Sequence, residues 1–492
     1  MEAPVLSAEG APADRRPLVL DLDHTLIRTD VLHELALAYV KANPFRVFLL
    51  VAWLLRGKTH LKHQLSTRVT LNVDALPANE EIVALAREHA AAGRPIVLAT
   101  ASDGLIARRI ARRFGFIGQV IGTENGVNLK GREKARRLAE MFPDGFDYVG
   151  DSRPDLEVWT VARNGIVVSD SRSLVRRAER VTSVQRHFAG GGSPTAMLRA
   201  MRPHQWAKNV LVFAPLVLAG ITDEPRAWAM AALAFLALSL IASGTYILND
   251  LFDLQDDRLH WSKRNRPIAS GELAIPRAVL LCASLIVAGV AIALLTNLFV
   301  VALLAVYGGL TVAYSLTLKR QPITDAFVLA TLFTLRIGIG IAAVGAESSA
   351  WLLVFSMFLF GSLSLAKRYT EIARMREHGH RKTSGRGYLA DDAGLVLTMG
   401  IASGIGAIVI MVLYLIEDAF AADFYLEPAL LWSFPAILFL WVSRIWLLSS
   451  RGELNDDPVA FAVRDRTSIV LGAGMVLTFI GAMTGLPGLT AL

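Results

Sequence analysis

The pattern of apolar and polar residues divides the chain near residue 190. Residues 1–188 alternate short apolar runs with amphipathic stretches at ordinary charge density, which predicts an α/β domain. A short joint containing Gly, Ser and Pro follows at 189–198, and long apolar runs then recur through residues 199–492. Because a bilayer span requires about 20 apolar residues, we predict a polytopic all-α bundle of nine membrane-spanning helices. The predicted bounds are 207–221, 227–249, 275–295, 297–317, 323–345, 350–370, 393–417, 427–448 and 468–489.

Composition narrows the class of protein. Hydrophobic residues make up 53% of the chain and charged residues only 19%, against about 25% charged residues in typical soluble domains. This composition excludes a soluble enzyme with a single core and a disordered scaffold. The one cysteine, Cys282, excludes an internal disulfide and a Cys-rich zinc site.

The distribution of charge predicts the orientation in the membrane. The polar start, Met1–Arg16, favours a cytoplasmic N-terminus. The loops that are then cytoplasmic are rich in Lys and Arg, whereas Gly345–Ser349 and Glu417–Glu427 on the other side contain neither. The net charge of +7 is thus explained without nucleic acid. We expect a multi-pass protein of the bacterial inner membrane with its active sites in the cytoplasm. The basic loops span 258–266, 319–320, 367–386 and 451–466.

Carboxylates and hydroxyls follow the predicted strands of the N-terminal half. Asp21–Thr25 comes directly after the apolar strand 18–20, and Thr100–Ser102 ends a second apolar strand. Lys134 lies in a helical stretch, and Gly150–Asp155 follows a third strand. The carboxyl ends of strands are where open α/β sheets bind ligands. Two carboxylates one residue apart can act there as nucleophile and general acid or base around one magnesium ion.

This ordered set of motifs resembles the haloacid dehalogenase superfamily, whose members are mostly phosphatases. The resemblance implies a Rossmann-like fold with Asp21 as the nucleophile and Asp23 as the acid and base. It also implies that Thr100 and Lys134 bind the phosphoryl oxygens. An inactive domain kept as a scaffold or docking module is the alternative. The implied metal ligands in this half are Asp21, Asp23, Asp151 and Asp155.

An insert at about 30–77 looks helical and occupies the usual place of a cap domain in this superfamily. Its apolar run Val47–Leu55 is too short to span a bilayer. We expect this run to form the core of the cap. The alternative is an interfacial patch that seats the domain on the membrane.

A cluster of carboxylates follows the second predicted span, where ionisable residues are costly and usually functional. If the helix continues, Asp250, Asp253 and Asp257 lie on one face. Three carboxylates on one face require a divalent cation or a cationic partner, and oxygen ligands favour magnesium over zinc. The alternative is a solvated acidic loop paired with the basic residues that follow it, Arg258, Lys263, Arg264 and Arg266.

The motif Asn249–Asp257 after the second span resembles that of the UbiA superfamily of intramembrane prenyltransferases. Members of that superfamily generally carry a second acidic motif after span six, and two magnesium ions hold a prenyl diphosphate. This chain departs from the pattern, because it has Lys367 and Arg368 there, with Glu371 as the one carboxylate. Asp325 is a further intramembrane acid, which we expect near Arg336. Cations can bind a bare phosphate directly, so we expect a phosphorylated lipid to meet a soluble diphosphate.

Several further stretches resemble the polyprenyl-phosphate phosphoribosyltransferases, among them Arg202–Asn209 and Lys263–Ile268. The resemblance implies Mg²⁺-dependent transfer of 5-phosphoribose from phosphoribosyl diphosphate to a polyprenyl phosphate such as decaprenyl phosphate, in the synthesis of arabinose donors for the cell envelope. Asp250, Asp253 and Asp257 are the implied metal ligands, oriented by Asn249. The candidate substrate-binding residues are Lys208, Asn249, Arg258, Lys263, Arg264, Arg266, Tyr314, Lys319, Lys367, Arg368 and Glu371.

The two halves suggest consecutive reactions. The transfer product carries a 5-phosphate, which the N-terminal domain is expected to remove. The alternative function is an aromatic prenyltransferase that uses a prenyl diphosphate, with an inactive regulatory N-terminal module. A homo-oligomer is a further possibility that the sequence leaves open.

Overall fold

A computed structural model describes residues 16–124, 126–377, 386–454, 461–462 and 464–485. Residues 16–201 and Tyr246–Cys282 form one compact unit. Residues 202–245 and 283–485 form the second. The predicted domain limits at 188 and 199 stay predictions, and the segment around the acidic motif belongs to the first unit. Arg381 and Lys382 of the predicted basic loops, and residues 486–489 of the last predicted span, lie outside the described residues.

A six-stranded parallel sheet forms the centre of the first unit, in the order β3-β2-β1-β4-β5-β6. Alternate residues of the strands enter two different cores. Leu18 and Leu20 pack in one, and Val19 packs in the other. Both faces of the sheet are therefore covered, as in α/β folds, and the predicted α/β class is confirmed. The strands are β1 (Leu18–Leu20), β2 (Ile96–Asp103), β3 (Gln119–Thr123), β4 (Asp147–Gly150), β5 (Asn164–Val168) and β6 (Ser183–Phe188).

The predicted insert is helical. It contains α1 (Val31–Ala42), α2 (Val47–Leu55) and α3 (Lys58–Arg68). Asp30 caps α1 by accepting hydrogen bonds from the amides of residues 32 and 33, which satisfies donors at the helix start.

The prediction that Val47–Leu55 forms the core of the cap is wrong for most of the run. Phe48 is 71% exposed and Leu55 is 84% exposed, although Leu50 and Trp53 pack against the core. All sides of this nine-residue helix are apolar, but the rest of the domain packs against only one side of it. The residues on the other sides therefore stay exposed.

Seven further helices among the described residues belong to the first unit, and the last of them contains the end of the acidic motif. They are α4 (Glu80–Ala91), α5 (Gly104–Arg113), α6 (Arg132–Met141), α7 (Leu156–Trp159), α8 (Arg172–Ala178), α9 (Ala196–Met201) and α12 (Leu254–Leu259).

Eight helices among the described residues are long and apolar enough to cross a membrane. They span Pro225–Phe252, Ile275–Leu294, Leu298–Leu316, Thr324–Val344, Ala350–Glu377, Ala390–Ala419, Pro428–Ser450 and Arg466–Thr484. Their α-helical parts are α11 (Pro225–Phe252), α13 (Ile275–Leu294), α14 (Leu298–Leu316), α15 (Thr324–Val344), α16 (Ala350–Glu377), α17 (Ala393–Tyr414), α18 (Ser433–Ser450) and α19 (Arg466–Thr484).

The ninth predicted span, 207–221, is not confirmed. The 3-10 helix Pro203–Phe213 and the short helix α10 (Ala214–Leu218) cover this stretch instead. Pro215 has no amide hydrogen with which to continue a helical hydrogen-bond ladder.

Small residues allow the helices of the second unit to pack closely. A Cβ atom at Gly400 of α17 would come within 2.2 Å of Trp446 on α18. The Ser362 hydroxyl of α16 donates to the carbonyl of Gly400 and accepts from the Trp446 indole, at 2.7 and 3.0 Å. Close approach at glycine and hydrogen bonds from serine are typical of helix packing in membranes.

Candidate active sites

The motif carboxylates of the first unit meet at the carboxyl ends of β1 and β4. Asp21 follows β1, and Asp151 and Asp155 follow β4. One ligand atom of each lies within 4.8 Å of the others. Adjacent parallel strands bring their carboxyl ends to one edge of the sheet, and β1 and β4 are neighbours. This donor set of carboxylate oxygens fits magnesium.

Lys134 of α6 is buried among these acids. Its Nζ lies 3.0 Å from Asp21 Oδ1 and 3.8 Å from Asp155 Oδ1, and it donates to the Tyr148 hydroxyl. That hydroxyl in turn donates to Asp155 at 2.8 Å. Burial opposes the charge of Lys134, but the carboxylates outweigh it and raise its pKa. The lysine is therefore a fixed cation in the site.

Asp23, the predicted acid and base, is held by two hydrogen bonds. Its Oδ1 accepts from the Val31 amide at 2.8 Å, and its Oδ2 accepts from the Ser102 hydroxyl at 2.9 Å. Burial and the charge of Asp30 raise the pKa of Asp23 to about 8. Burial also raises the pKa of Asp21, to about 6 against the opposing charge of Lys134. Two carboxylates held at different pKa values can divide the roles of nucleophile and acid.

The hydroxyl motif contributes two different side chains. Thr100 is fully buried, and its Oγ1 accepts from the amide of Ser102 at 3.0 Å. The Ser102 hydroxyl donates a hydrogen bond to Asp23. Thr100 is the residue predicted from this motif, and the contact of Ser102 is not predicted by the sequence. The cap also contributes Lys62, which donates to the Ala101 carbonyl and to Asn128. The sequence pattern of α3 does not identify Lys62 as a residue near the site, because only the tertiary fold brings the cap over the sheet.

Gly150 is required by the close packing of this edge. A Cβ atom there would lie 2.9 Å from the carboxyl carbon of Asp155. The glycine of the motif therefore leaves room for the second acid.

The second acidic motif is also assembled within the first unit. Helix α11 ends at Phe252, but the helical hydrogen-bond pattern continues from Asp253 to Asn249 and from Asp257 to Asp253. Asp250 and Asp257 are buried, and both accept from Nη1 of Arg266, at 3.0 and 2.5 Å. The expected shared face is thus seen for these two acids.

Two cations face the acid pair, because Arg266 bridges Asp250 and Asp257 and Lys263 lies close to Asp257. Lys263 Nζ lies 3.9 Å from Asp257, and burial raises the pKa of this carboxyl against the charge of Arg266. Pairing with Arg266 and Lys263 agrees with the alternative prediction, but the burial of both acids does not fit a solvated loop. The carboxylate oxygens suit magnesium, and Arg266 occupies the position between them. Metal binding at this pair requires the guanidinium to move.

Arg258 was expected among the phosphate-binding cations, and it lies elsewhere. It is buried against Glu34 of α1, with nitrogen–oxygen distances of 2.6 and 3.0 Å, and its Nε donates to the Ala269 carbonyl. Glu34 also accepts from Thr29 at 2.6 Å. The guanidinium nitrogens of Arg258 and the carboxylate oxygens of Glu34 all have hydrogen-bond partners. We therefore infer that Arg258 attaches the motif segment to the cap.

Two further contacts join the motif segment to the rest of the first unit. Gly271 has φ +83° and packs so closely on Arg28 that a Cβ atom would lie 2.3 Å from its carbonyl oxygen. Arg199 and Glu272 form an ion pair. The segment 246–282 is therefore built into the first unit by polar contacts as well as by packing.

In the second unit, the basic stretch on α16 is balanced by acids. Arg368 Nε lies 2.9 Å from Asp325, and its Nη1 pairs with Glu371. Arg386 and Tyr388 also contact Asp325, at 3.4 and 2.6 Å. The expectation that Asp325 lies near Arg336 is therefore wrong. The cations that pair with Asp325 are Arg368 and Arg386.

Arg336 has neutral partners instead. It is buried in α15 and donates to Asn209, to the Leu332 carbonyl and to the Tyr307 hydroxyl, at 2.9, 2.6 and 3.0 Å. A buried intramembrane arginine is a candidate functional residue. It was not among the predicted site residues.

The other predicted residues are distributed over both units. Lys208 Nζ lies 5.8 Å from the centre of the Phe333 ring. Lys263 and Arg264 are exposed in a 3-10 turn after the motif. Asn249, Asp253, Tyr314, Lys319 and Lys367 are half-buried. Their roles stay predictions.

Comparison with known proteins agrees with this architecture. The pattern of the UbiA prenyltransferase family matches residues 210–486, and that of haloacid dehalogenase-like hydrolases matches residues 18–159. An uncharacterized protein of Sinorhizobium fredii, y4nM, is 39% identical over 96% of this chain and 92% of its own length.

Two further similarities are partial. The decaprenyl-phosphate phosphoribosyltransferase of Corynebacterium glutamicum is 36% identical over 182 residues, which cover 36% of this chain and 54% of that protein. A solved UbiA homolog from Archaeoglobus fulgidus bound to DMAPP and Mg²⁺ is 16% identical, with a TM-score of 0.45 over 59% of this chain and 99% of that one.

The buried pair of Glu34 and Arg258 predicts a large effect on stability. Glu34→Gln leaves an uncompensated buried guanidinium, and we expect a loss of about 3–5 kcal/mol. The double variant Glu34→Gln, Arg258→Met removes that charge and is expected to recover part of the loss. Apparent unfolding temperatures of the full chain in detergent measure both. Equal temperatures for the single and double variants would contradict the assignment.

The contact of Arg266 with the acid pair predicts competition with metal. In Arg266→Gln the two carboxylates lose the guanidinium that bridges them, so Mn²⁺, used as a probe, is expected to bind more tightly in the absence of substrate. Electron paramagnetic resonance of free Mn²⁺ gives the binding curve. Adding Asp250→Asn to this variant is expected to abolish the gain in Mn²⁺ affinity. Mn²⁺ sites elsewhere in the chain are the same in all variants and contribute equally to every binding curve. An unchanged curve in Arg266→Gln counts against the competition.

Proposed function

The chain belongs to the UbiA prenyltransferase family, and from this premise we propose that it transfers 5-phosphoribose from phosphoribosyl diphosphate to a polyprenyl phosphate such as decaprenyl phosphate. The observation that carries the proposal is the pair Lys367 and Arg368 where a second acidic motif is expected. The partial similarity to a decaprenyl-phosphate phosphoribosyltransferase supports the same substrates. We place the protein in the bacterial inner membrane with both acidic motifs on the cytoplasmic side, as the basic loops suggest.

The charges of the acidic motif suit a diphosphate donor. Asp250, Asp253 and Asp257 would hold magnesium, which would neutralise the diphosphate as it leaves. Arg266 would exchange its carboxylate partners for donor phosphate oxygens, since its planar donors fit either anion. Asn249, one residue before Asp250, orients the acid. The exposed Lys263 and Arg264 add positive charge beside the donor.

The transfer itself is a substitution at the anomeric carbon. The bond from this carbon to the diphosphate oxygen breaks, and an oxygen of the lipid phosphate forms the new bond. Lys319, Lys367 and Arg368 are the candidates for binding the lipid phosphate. Asp325 and Glu371 orient Arg368 through their ion pairs. Lys208 and Tyr314 are further candidates for contact with the substrates.

Transferase activity should depend on a buried acid of the motif. Asp250→Asn removes one carboxylate with little change of shape, and we expect transfer of radiolabelled phosphoribose to decaprenyl phosphate to fall at least 100-fold. Asp256→Asn is the matched control, because the Asp256 side chain is 74% exposed, and it should retain activity. Product formed only from a prenyl diphosphate and 4-hydroxybenzoate would overturn the proposal in favour of an aromatic prenyltransferase.

We also propose that the α/β domain removes the 5-phosphate of the transfer product. The Leu22 amide and Lys134 both contact Oδ1 of Asp21, and we therefore assign the attack on phosphorus to Oδ2. The ribose C5–O–P link breaks at phosphorus, and Asp23 gives its proton to the leaving oxygen. Water then attacks the aspartyl-phosphate while Asp23 takes its proton, and inorganic phosphate leaves.

The remaining residues of this site bind and screen the phosphoryl group. Lys134 and Thr100 are proposed to contact its oxygens. Asp21, Asp23, Asp151 and Asp155 are the candidates for holding magnesium, which would screen charge between the phosphoryl group and the carboxylates. One chain that carries both activities presents the lipid product to the phosphatase at a high effective concentration.

The coupled reaction predicts a change of product in the nucleophile variant. Asp21→Asn is expected to accumulate the 5-phosphoribosyl lipid, whereas the wild type forms the dephosphorylated ribosyl lipid and phosphate. Asp144→Asn, at an exposed position of the same unit, is the control and should behave as wild type. Mass spectrometry of the lipid products distinguishes them. Identical products from wild type and Asp21→Asn indicate a domain with a regulatory role only.

A further inference from the structure

The cap carries an apolar surface that the α/β domain leaves exposed. It comprises Phe45 and the outward residues of α2, and we call it the α2 face. Phe45 is 76% exposed, and most side chains of α2 are exposed with it. Contiguous apolar surface of this kind usually marks an interaction site. The exposed members are Phe45, Val47, Phe48, Leu49, Val51, Leu54 and Leu55.

The inner side of the same helix is firmly attached. The Trp53 and Tyr39 rings lie 5.2 Å apart, and the Arg68 guanidinium lies 5.1 Å from the Trp53 ring. Leu50 packs against the main core of the unit. The helix is therefore held in place by one side, and its opposite side is presented outward.

The charge around the α2 face has one sign. Residues 35–73 contain no Asp or Glu but six Lys or Arg. Arg46 precedes α2, and the exposed Arg56 and Lys58 follow it. A short apolar helix with basic flanks matches the chemistry of an anionic lipid surface, where the apolar face enters the acyl boundary and the cations meet headgroups.

The position of the α2 face within the unit fits the same partner. Arg46 and Tyr39 line a cavity of about 440 Å³ together with Leu251 and Phe252. Phe252 ends a membrane helix of 28 residues, which is about 42 Å long, against a hydrocarbon core of about 30 Å. A helix of this length reaches beyond the hydrocarbon core, so the residues that share the cavity with its end, Arg46 among them, are within reach of the headgroups.

We propose that the α2 face inserts into the surface of the bilayer and seats the cap on anionic lipid. The cap is then fixed at two points, by the pair of Glu34 and Arg258 and by α2. This inference uses the membrane location of the chain and is independent of the proposed substrates.

Site-directed spin labelling tests the proposal on the full chain. Phe48→Cys and, as the matched control, Val181→Cys are made in Cys282→Ala, which removes the native thiol. Val181 is an exposed apolar residue of the same unit. Each variant is reconstituted into nanodiscs of phosphatidylcholine with phosphatidylglycerol. Collision rates of the label with oxygen and with a water-soluble nickel chelate report its depth.

We expect the label at Phe48 to collide more with oxygen than with nickel, and the label at Val181 to show the reverse. Nanodiscs of phosphatidylcholine alone should reduce the depth at Phe48, because the basic flanks lose their partners. Equal nickel access at both positions would overturn the proposal. Strong dipolar coupling between labels of two chains would also overturn it, since a second copy would then cover the α2 face.

Discussion

The first unit depends on one buried ion pair, between Glu34 of the cap and Arg258 of the segment after the acidic motif. Both groups are buried, and neither charge is tolerable there alone. Two stretches of chain separated by more than 200 residues must therefore meet. The consequence is that the aspartate cluster of the α/β domain and the acidic motif of the membrane helices belong to one compact unit.

The same constraint explains the other charged clusters. Lys134 is surrounded by carboxylates, Arg266 bridges Asp250 and Asp257, and Arg368 lies beside Asp325. In each candidate site a cation already faces the carboxylates before any ligand binds. At Arg266, ligand binding would be an exchange of partners, in which a metal ion replaces the guanidinium beside the carboxylates and a phosphate replaces the carboxylates beside the guanidinium. Such an exchange avoids exposing a bare charge to a low-dielectric interior.

The cap has two functions in this view. Its inner residues reach the candidate site of the α/β domain through Lys62 and hold the motif segment through Glu34. Its outer helix α2 is apolar with a basic border, which is unfavourable in water and favourable at a membrane surface. A domain attached to a membrane protein can carry such a helix, because the bilayer is always within reach.

The sequence by itself determined the elements, since periodicity, span length and motif order are local properties. It predicted the α/β domain with its Asp21–Asp155 motifs, the helical insert and eight of the nine proposed spans. Only the tertiary structure decided which charges pair. Asp325 meets Arg368 and Arg386 rather than Arg336, and Arg258 meets Glu34. Partners of this kind are distant in the chain, and they are chosen by burial and packing, which no local pattern encodes.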